Sequence, residues 1–599
     1  MATAVRRSAG PGPARAFVCL CLLLGHPLPA VAEEGGGSVE ISGVSGEVRD
    51  NVRAYLGITD LAGSAEAEPE QVRRAHRQAP EEIRRALQPF GYYQPTVRAN
   101  LATEAEGWTA RYRVDPGPAV RIAGLEVAVV GPGADDDALN QVITDSALQR
   151  GERLHHGDYT NTKRKLIETA VQRGYLDAVY RRNELRVRPE AGKAEIHLVL
   201  ASGPAYHFGD IRVVQEILAK DLVARMVPVQ AGDRLTSGRL LDLQLALSDT
   251  PYFQRVNVDL QRSRAKPLHP EGNGAGAVAV PVVVATDPRA SRKYSLGLGY
   301  GTDTGPRLSA GLELRRLNRS GHRFRTDLMV SAVRQDFSAR YLIPIGDPRT
   351  DTMSFTGSYA RSELGDGISH KYSVGISRDR RWRGWQRSIY TRYAMERFVF
   401  SDESQRSRLF TPGISLSRTR SDDPVRPRRG WSLFADVHGA HEDLLADSRF
   451  TQLRSRLQAV LGLGSRVRLL ARLEVGANFT DDFAALPASE RFFAGGARSV
   501  RGYAYQSLAP ENAAGDVVGG QHLASGKIEA DLRAIGNWGV AAFYDAGNAA
   551  DDWPPEPKAG AGGGLRWFSP IGTIRLDYAV PLDNPDRDFS IHFSMGPDL

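Results

Sequence analysis

Cysteine is nearly absent from this chain of 599 residues: the two present, Cys19 and Cys21, both lie within the first 32 positions. The remainder has no disulfide to staple it, and cysteine-based metal or redox chemistry is excluded there. Long apolar runs are also missing. Past the first 32 residues no segment stays apolar for the roughly 20 residues that a membrane-spanning helix requires. Charge of one sign is scarce, since 77 Lys and Arg against 70 Asp and Glu leave a formal net charge of +7. Nucleic-acid binding wants a concentrated basic stripe, and none stands out, so no nucleic-acid partner is expected. Catalytic signatures are missing as well: there is no G-x-S-x-G nucleophile elbow and no Walker A phosphate loop. The adjacent pair His155-His156 lacks the H-E-x-x-H context of a zinc site and reads as a solvated loop. Asp135-Asp136-Asp137 reads as a turn into a helix with acids at its positive end; a calcium site there is poorly specified. No enzyme activity, cofactor or metal is expected.

What is present begins with a basic stretch, Arg6, Arg7 and Arg15, then a short apolar run from Ala16 to Leu24 and the small-residue site Ala30-Val31-Ala32. Residues 1–32 therefore read as a secretory signal peptide, with the mature chain starting near Glu33. Both cysteines sit inside the apolar run and not after it, which argues against a lipoprotein. Without the three arginines the formal charge falls to +4. The 61 glycines and a mean hydropathy of −0.34 fit a transmembrane barrel with a polar lumen, in which apolar residues face lipid at every second position.

Three blocks of similar pattern precede that barrel. Gly117-Pro118-Ala119-Val120-Arg121-Ile122 returns 86 residues later as Gly203-Pro204-Ala205-Tyr206-His207-Phe208. Gly91-Tyr92-Tyr93, Gly174-Tyr175-Leu176 and Pro251-Tyr252-Phe253 are spaced by 83 and 77 residues. Repeats near 80 residues are small domains in a row, longer than ordinary solenoid units. The blocks are expected at 38–119, 120–203 and 204–288, each an α+β unit of order β-α-α-β-β. In the second, the spacing predicts strands over Val120–Val129, Val179–Val187 and Lys193–Leu200. Helical character runs over Asp136–Leu148 and Tyr159–Gly174, the latter with Leu166, Ile167, Ala170 and Val171 on one face. In the third, Ala265 to Gly276 is a Pro/Gly-rich loop.

From about Arg292 the period changes. Tyr294, Leu296, Leu298 and Tyr300 alternate with Ser295, Gly297 and Gly299, and similar alternation recurs to Phe589, Ile591, Phe593 and Met595. This is the weak but persistent signal of an antiparallel barrel over 292–599. Tyr294 to Leu599 is 306 residues, which sixteen strands fill at roughly 19 residues per strand and loop. Sixteen is the expected count; fourteen and eighteen also fit the sum.

Late in this half lies Arg491-Phe492-Phe493-Ala494-Gly495-Gly496-Ala497-Arg498-Ser499-Val500-Arg501-Gly502-Tyr503. Its core, Val500-Arg501-Gly502-Tyr503, resembles the signature of a loop that folds back inside the barrels of the superfamily of POTRA–barrel proteins. Gly563-Gly564-Leu565-Arg566-Trp567-Phe568-Ser569-Pro570-Ile571-Gly572, Ile574-Arg575-Leu576-Asp577-Tyr578 and Phe543-Tyr544-Asp545-Ala546-Gly547 resemble its last wall strands. With three POTRA-like blocks and the ending Met595-Gly596-Pro597-Asp598-Leu599, the chain resembles the TamA family, which only the count of repeats separates here from the barrel-assembly insertase. That resemblance implies a bacterial outer-membrane insertase that promotes assembly of outer-membrane proteins such as autotransporters, with POTRA domains in the periplasm. It implies a TamB-like periplasmic or inner-membrane partner at the POTRA domains, unfolded outer-membrane proteins as substrates, and contact with outer-membrane lipid. Two other readings stay open: a pore exporting a polypeptide, as in two-partner secretion, and an envelope-spanning docking protein that serves lipid movement.

Two sites follow. A guanidinium in a barrel lumen needs a carboxylate, which it can grip bidentately. If Ala542 and Tyr544 face lipid, Phe543 and Asp545 face the lumen. Arg501–Asp545 is thus the expected main pair, with Glu529 secondary, holding the loop against the wall. The second site is the seam between the first strand, with Tyr294, Leu296, Gly297, Leu298 and Gly299, and the last, with Phe589, Ile591, Phe593 and Gly596. Interior glycines weaken strands, and a poorly paired edge templates addition of another strand. In the superfamily such a seam is implied to be a lateral gate. The glycines equally make room for lumen side chains, and the POTRA blocks equally read as spacers.

Overall fold

A computed structural model describes residues 37–62, 67–104, 107–268, 276–400, 403–570, 572–583 and 589–596. The signal-peptide expectation for 1–32, most of the Pro/Gly-rich loop and the ending Pro597-Asp598-Leu599 lie outside the described residues. The chain divides into two compact units, one reaching Tyr206 and the other holding most of the third block together with the barrel.

In the first unit, block one runs strand Ser38–Ser42, helices Gly46–Tyr55, Gly57–Ala62 and Pro69–Leu87, then strands Thr96–Glu104 and Gly107–Asp115. The first strand pairs parallel to the last, which lies in the middle of the sheet. The long helix buries Val72, Ala79, Ile83, Ala86 and Leu87 against Tyr112 and Val114 of that central strand. Block one thus carries three helices in place of the expected two; block two keeps the expected order, with strand Arg121–Val130, helices Asp137–Thr144 and His156–Gln172, and strands Val179–Arg188 and Lys193–Ala201, again with the last strand central. The first of these helices ends at Thr144, four residues short of the expected Leu148, where Asp145 donates its backbone N–H to Gln141 and Ile143. The Asp136 carboxylate caps its start, accepting from Ala138 N at 3.1 Å and from Arg173 Nε at 3.1 Å. Capping the helix and binding a guanidinium give Asp136 a structural role.

The sequence echoes mark junctions. The carbonyl of Gly91 accepts from Val120 N at 2.8 Å, and that of Gly174 accepts from Tyr206 N at 3.0 Å. Each Gly-Tyr thus stitches the end of one block to the strand entering the next. His155-His156 corrects the reading of a solvated loop. Both histidines are half-buried at the start of the helix His156–Gln172. His156 Nε2 bonds Tyr93 Oη at 2.6 Å, and His155 packs on Phe90. They are junction residues between the first two blocks.

In the second unit, block three forms its sheet from Ala205–Val214, Ala277–Pro288 and Phe253–Leu260, in that order, with the two-residue strand Lys266–Pro267 on the middle one. Tyr252 Oη donates to Gly321 O at 2.6 Å, and Arg225 Nη1 donates to Ile345 O at 2.5 Å. Block three therefore rests on the turns at one rim of the barrel.

The barrel is a sixteen-stranded antiparallel sheet that runs in strict chain order from Arg292–Gly301 to Ser590–Gly596. The alternation works as the period-2 pattern implies. In Trp538–Ala550, Val540 and Tyr544 face outward, while Ala541, Phe543 and Asp545 are buried toward the lumen.

Candidate functional site: the lumen loop and the seam

The strands Val467–Thr480 and His522–Ile535 are joined by a 41-residue loop, Asp481 to Gln521, at the rim away from block three. The loop turns into the lumen, and Val500, Arg501, Gly502 and Tyr503 are all buried. Arg501 grips Asp545 with both ends of its fork, Nε to Oδ2 at 2.7 Å and Nη2 to Oδ1 at 2.9 Å. Its backbone N–H adds a third bond to Oδ2 at 3.1 Å. Nη1 reaches Glu529 at 2.8 Å and Asp577 at 2.9 Å. The guanidinium lies 3.4 Å from the centre of the Phe543 ring, a stacked cation–π contact. Burial disfavours the charge on Arg501, but hydrogen bonding to Asp545 and the fields of Asp545, Glu529 and Asp577 outweigh it and raise its pKa.

The loop docks because the wall is stripped of side chains there. Gly502 has φ +99°, and a Cβ on it would press against Pro581 N at 2.9 Å. On the facing strand Lys558–Ser569, a Cβ on Gly560 would overlap the Arg501 carbonyl oxygen. Gly560→Ala is therefore expected to lift the loop from the wall at a cost of about 1–3 kcal/mol. Protease accessibility of Arg498 and Arg501 in the folded barrel reads this out. Protection equal to wild type would show that the docked geometry tolerates a methyl group.

Several participants were not anticipated. Arg566 has no side-chain exposure, and it bridges Glu529 at 2.8 Å, Asp531 at 3.3 Å and Asp577 at 2.5 Å. Asp531 also takes Arg468 at 2.6 Å, and Lys527 lies 3.7 Å from Asp545. Four cations (Arg501, Arg566, Arg468, Lys527) thus meet four carboxylates (Asp545, Glu529, Asp577, Asp531), and the buried cluster is neutral. Alternation alone points Arg566 and Asp577 inward, since Leu565, Trp567, Leu576 and Tyr578 face out. A second anchor holds the loop's entry. Glu490 meets Lys371 at 2.8 Å and His438 at 3.1 Å. Glu396 accepts from the N–H and the hydroxyl of Ser489 at 3.0 and 2.5 Å.

At the seam, no ladder joins the first and last strands among the described residues. Leu296 and Leu298 are 85% and 83% exposed, against 42% for Leu453 and 43% for Leu457 on interior strands. Tyr294 and Tyr300 face the same way, with Gly297 and Gly299 alternating inward. On the other side Ile591, Phe593 and Gly596 pair with Tyr578, Leu576 and Thr573. Phe589 was expected within the last strand but precedes it, stacked on Tyr578 at 4.9 Å. Contact across the seam gathers at the rim away from block three. Phe593 N donates to Thr302 Oγ1 at 3.2 Å, and the Tyr300 and Phe593 rings lie 6.1 Å apart. The loop touches both sides. Asp303, just past the first strand, accepts from Ala497 N at 2.6 Å. His592, on the last strand, accepts from Gly502 N at 3.3 Å.

A row of POTRA-like units followed by a sixteen-stranded barrel with an inserted loop defines a class of outer-membrane protein. The sequence profile of the Omp85 superfamily domain matches residues 291–598, and that of a POTRA domain, TamA domain 1, matches 38–116. The chain belongs to the Omp85 superfamily. It is an outer-membrane barrel with its POTRA domains in the periplasm. Outer membrane protein assembly factor BamA of Nitratidesulfovibrio vulgaris is 23% identical over 539 residues, covering 84% of this chain. The chain spans 66% of that relative's length, just under two thirds. The crystal structure of BamA from Haemophilus ducreyi lacking POTRA domains 1-3 superposes with a TM-score of 0.65 at 15% identity. It covers 80% of this chain and 99% of that one, and shows the shared fold.

Proposed function

We propose that this protein is a TamA-like insertase that assists assembly of outer-membrane proteins such as autotransporters, passing them through a lateral gate between its first and last barrel strands. The observation that carries this reading is the seam. A strand edge that has no ladder partner among the described residues, and that carries lipid-facing leucines, is a template for β-augmentation. An incoming strand that pairs there is already in the membrane. The lumen, by contrast, is occupied by the loop and its neutral ion cluster, which favours sideways release over passage through a pore. Arg501, with Asp545, Glu529 and Asp577, positions the loop, and the loop spans the seam through Asp303 and His592. Loop and gate are therefore mechanically linked. The three POTRA-like blocks and the TamA-type profile over 38–116 support the TamA branch, and with it a TamB-like partner at the POTRA domains. No nucleotide or cofactor enters the scheme.

Reconstitution tests it. Vesicles carrying the full chain should fold an added autotransporter barrel on the order of tenfold faster than empty vesicles, without ATP, a gain of about 1.4 kcal/mol in barrier. Transport of a soluble polypeptide into the vesicle interior, with no barrel inserted, would instead identify a secretion pore.

A further inference from the structure

The outer wall carries a second arrangement that the insertase reading does not use. Around the sixth and seventh strands, Gly367–Trp382 and Trp385–Phe400, the sheet register sets Asp351, Arg380, Arg387 and Leu416 side by side in one row. These positions share the lipid-facing side with Ile376 and Ile389. Arg380 and Arg387 are direct cross-strand partners, and both are exposed. Like charges placed opposite each other destabilise a ladder. The row's own carboxylate relieves them only through its field, because Arg378 takes both oxygens of Asp351 in hydrogen bonds at 3.0 and 2.8 Å. Neither Arg380 nor Arg387 has a carboxylate partner among the described residues.

The next row outward is the pair Trp382 and Trp385, which flanks the tight turn Arg383-Gly384. Arg383 stacks on Trp382 and Arg418 on Trp385, at 5.1 and 5.4 Å. Arg418 Nε is buried with no hydrogen-bond partner. Between these side chains lies a cavity of about 500 Å³ lined by Arg380, Trp382, Trp385, Arg387 and Leu416. Its height is set by the rim. Arg381 N donates to Thr350 O at 2.7 Å, and the same turn carries Ile345, the acceptor from Arg225 of block three. The cavity is therefore at the periplasmic interface, where tryptophans anchor barrels and arginine stems snorkel toward headgroups.

We propose that this cavity binds one anionic glycerophospholipid of the periplasmic leaflet, of the phosphatidylglycerol class. Its phosphate bridges the Arg380 and Arg387 guanidiniums, Trp382 and Trp385 flank its headgroup and glycerol on the periplasmic side, and its acyl chain runs inward past Leu416 toward Ile389 and Ile376. Two unpaired guanidiniums over an apolar slot match a phosphate over a hydrocarbon tail in charge and in polarity. The site is on the wall away from the seam, so a bound lipid fixes the part of the barrel that does not open. The proposal does not depend on the insertase reading.

Native mass spectrometry of the detergent-solubilised full chain tests it, with phosphatidylglycerol and phosphatidylcholine of identical acyl chains as probes. Wild type should retain phosphatidylglycerol on the order of tenfold more tightly. Arg380→Gln/Arg387→Gln should erase that preference, each single variant should reduce it several-fold, and Arg406→Gln at the far rim should leave it intact. Equal binding of the two lipids by wild type would overturn the proposal whatever the variants do. So would a preference that survives in a folded double variant. Excess inorganic phosphate should compete only weakly; full displacement would reveal a site for a free anion and overturn the lipid assignment.

Discussion

Arg501→Glu should abolish most insertion activity while leaving a barrel that still reaches the outer membrane. Removing one member of a buried ion network costs about 3–5 kcal/mol, because the partners stay buried and unpaired. Here the loss is uneven. Glu529 and Asp577 keep Arg566, but among the described residues Asp545 keeps as cation only Lys527, 3.7 Å away. Reversal also places a carboxylate against three others, so the loop should leave the wall and release its hold on His592 and Asp303. Arg501→Lys should be intermediate, since an ammonium cannot span both oxygens of Asp545 while reaching Glu529 and Asp577. Arg501→Glu combined with Asp545→Arg should recover part of the activity. Recovery stays partial because Glu529 and Asp577 still face the new acid. The measurement is the rate of autotransporter folding in reconstituted vesicles, with gel mobility of the unheated barrel as the control for folding. Wild-type rates in a folded Arg501→Glu barrel would remove the loop from the mechanism.

The second large effect is expected from closing the seam. Residues beyond Cys21 include no cysteine, so an introduced pair has no competitor. Tyr300→Cys with Phe593→Cys joins the first and last strands where their rings already lie 6.1 Å apart. Oxidation should suppress insertion by tenfold or more, and reductant should restore it. Each single variant should stay near wild type under both conditions, because lipid-facing substitutions of this kind leave the sheet intact. A complete crosslink with unchanged insertion would mean that substrate strands do not pass through this seam, and the pore reading would take its place. The two experiments separate loop from gate. A locked seam with an intact loop and a loose loop with an unlocked seam fail at different steps.

Much of the architecture is legible in the sequence. The switch to period 2 at Arg292 follows from a wall with lipid on one side and a polar lumen on the other. The same period put Asp545 inward, because Tyr544 has to face lipid. The repeats Gly91-Tyr92-Tyr93 and Gly174-Tyr175-Leu176 were visible as repeats, but their use as junction stitches was not, since a carbonyl's partner is set by how two blocks meet. That is also why His155-His156 was misread: nothing local shows that Phe90 and Tyr93 of the preceding block cover the pair. Arg566, Asp531 and Asp577 were within reach of the alternation rule. The sequence does not assign them to the site, because a lumen holds many polar side chains and only register decides which of them meet.

What the sequence determined by itself is therefore periodic or local. It set the three α+β blocks, the antiparallel barrel with lipid-facing and lumen-facing sides, and the glycine-bearing motif that can turn inside. These depend on side-chain spacing and backbone freedom, which short stretches of chain carry. The tertiary structure alone decided what depends on several strands at once. It assembled the neutral cluster of four cations and four carboxylates from six separate segments. Among the described residues it left the first and last strands without a ladder. On the outer wall it set Arg380 opposite Arg387. Charge-assisted hydrogen bonds need their partners within about 3 Å, and a one-residue slip turns a side chain to the other face of the sheet, so a shift of one residue in register would dissolve the ion cluster and the arginine pair while leaving every sequence pattern unchanged.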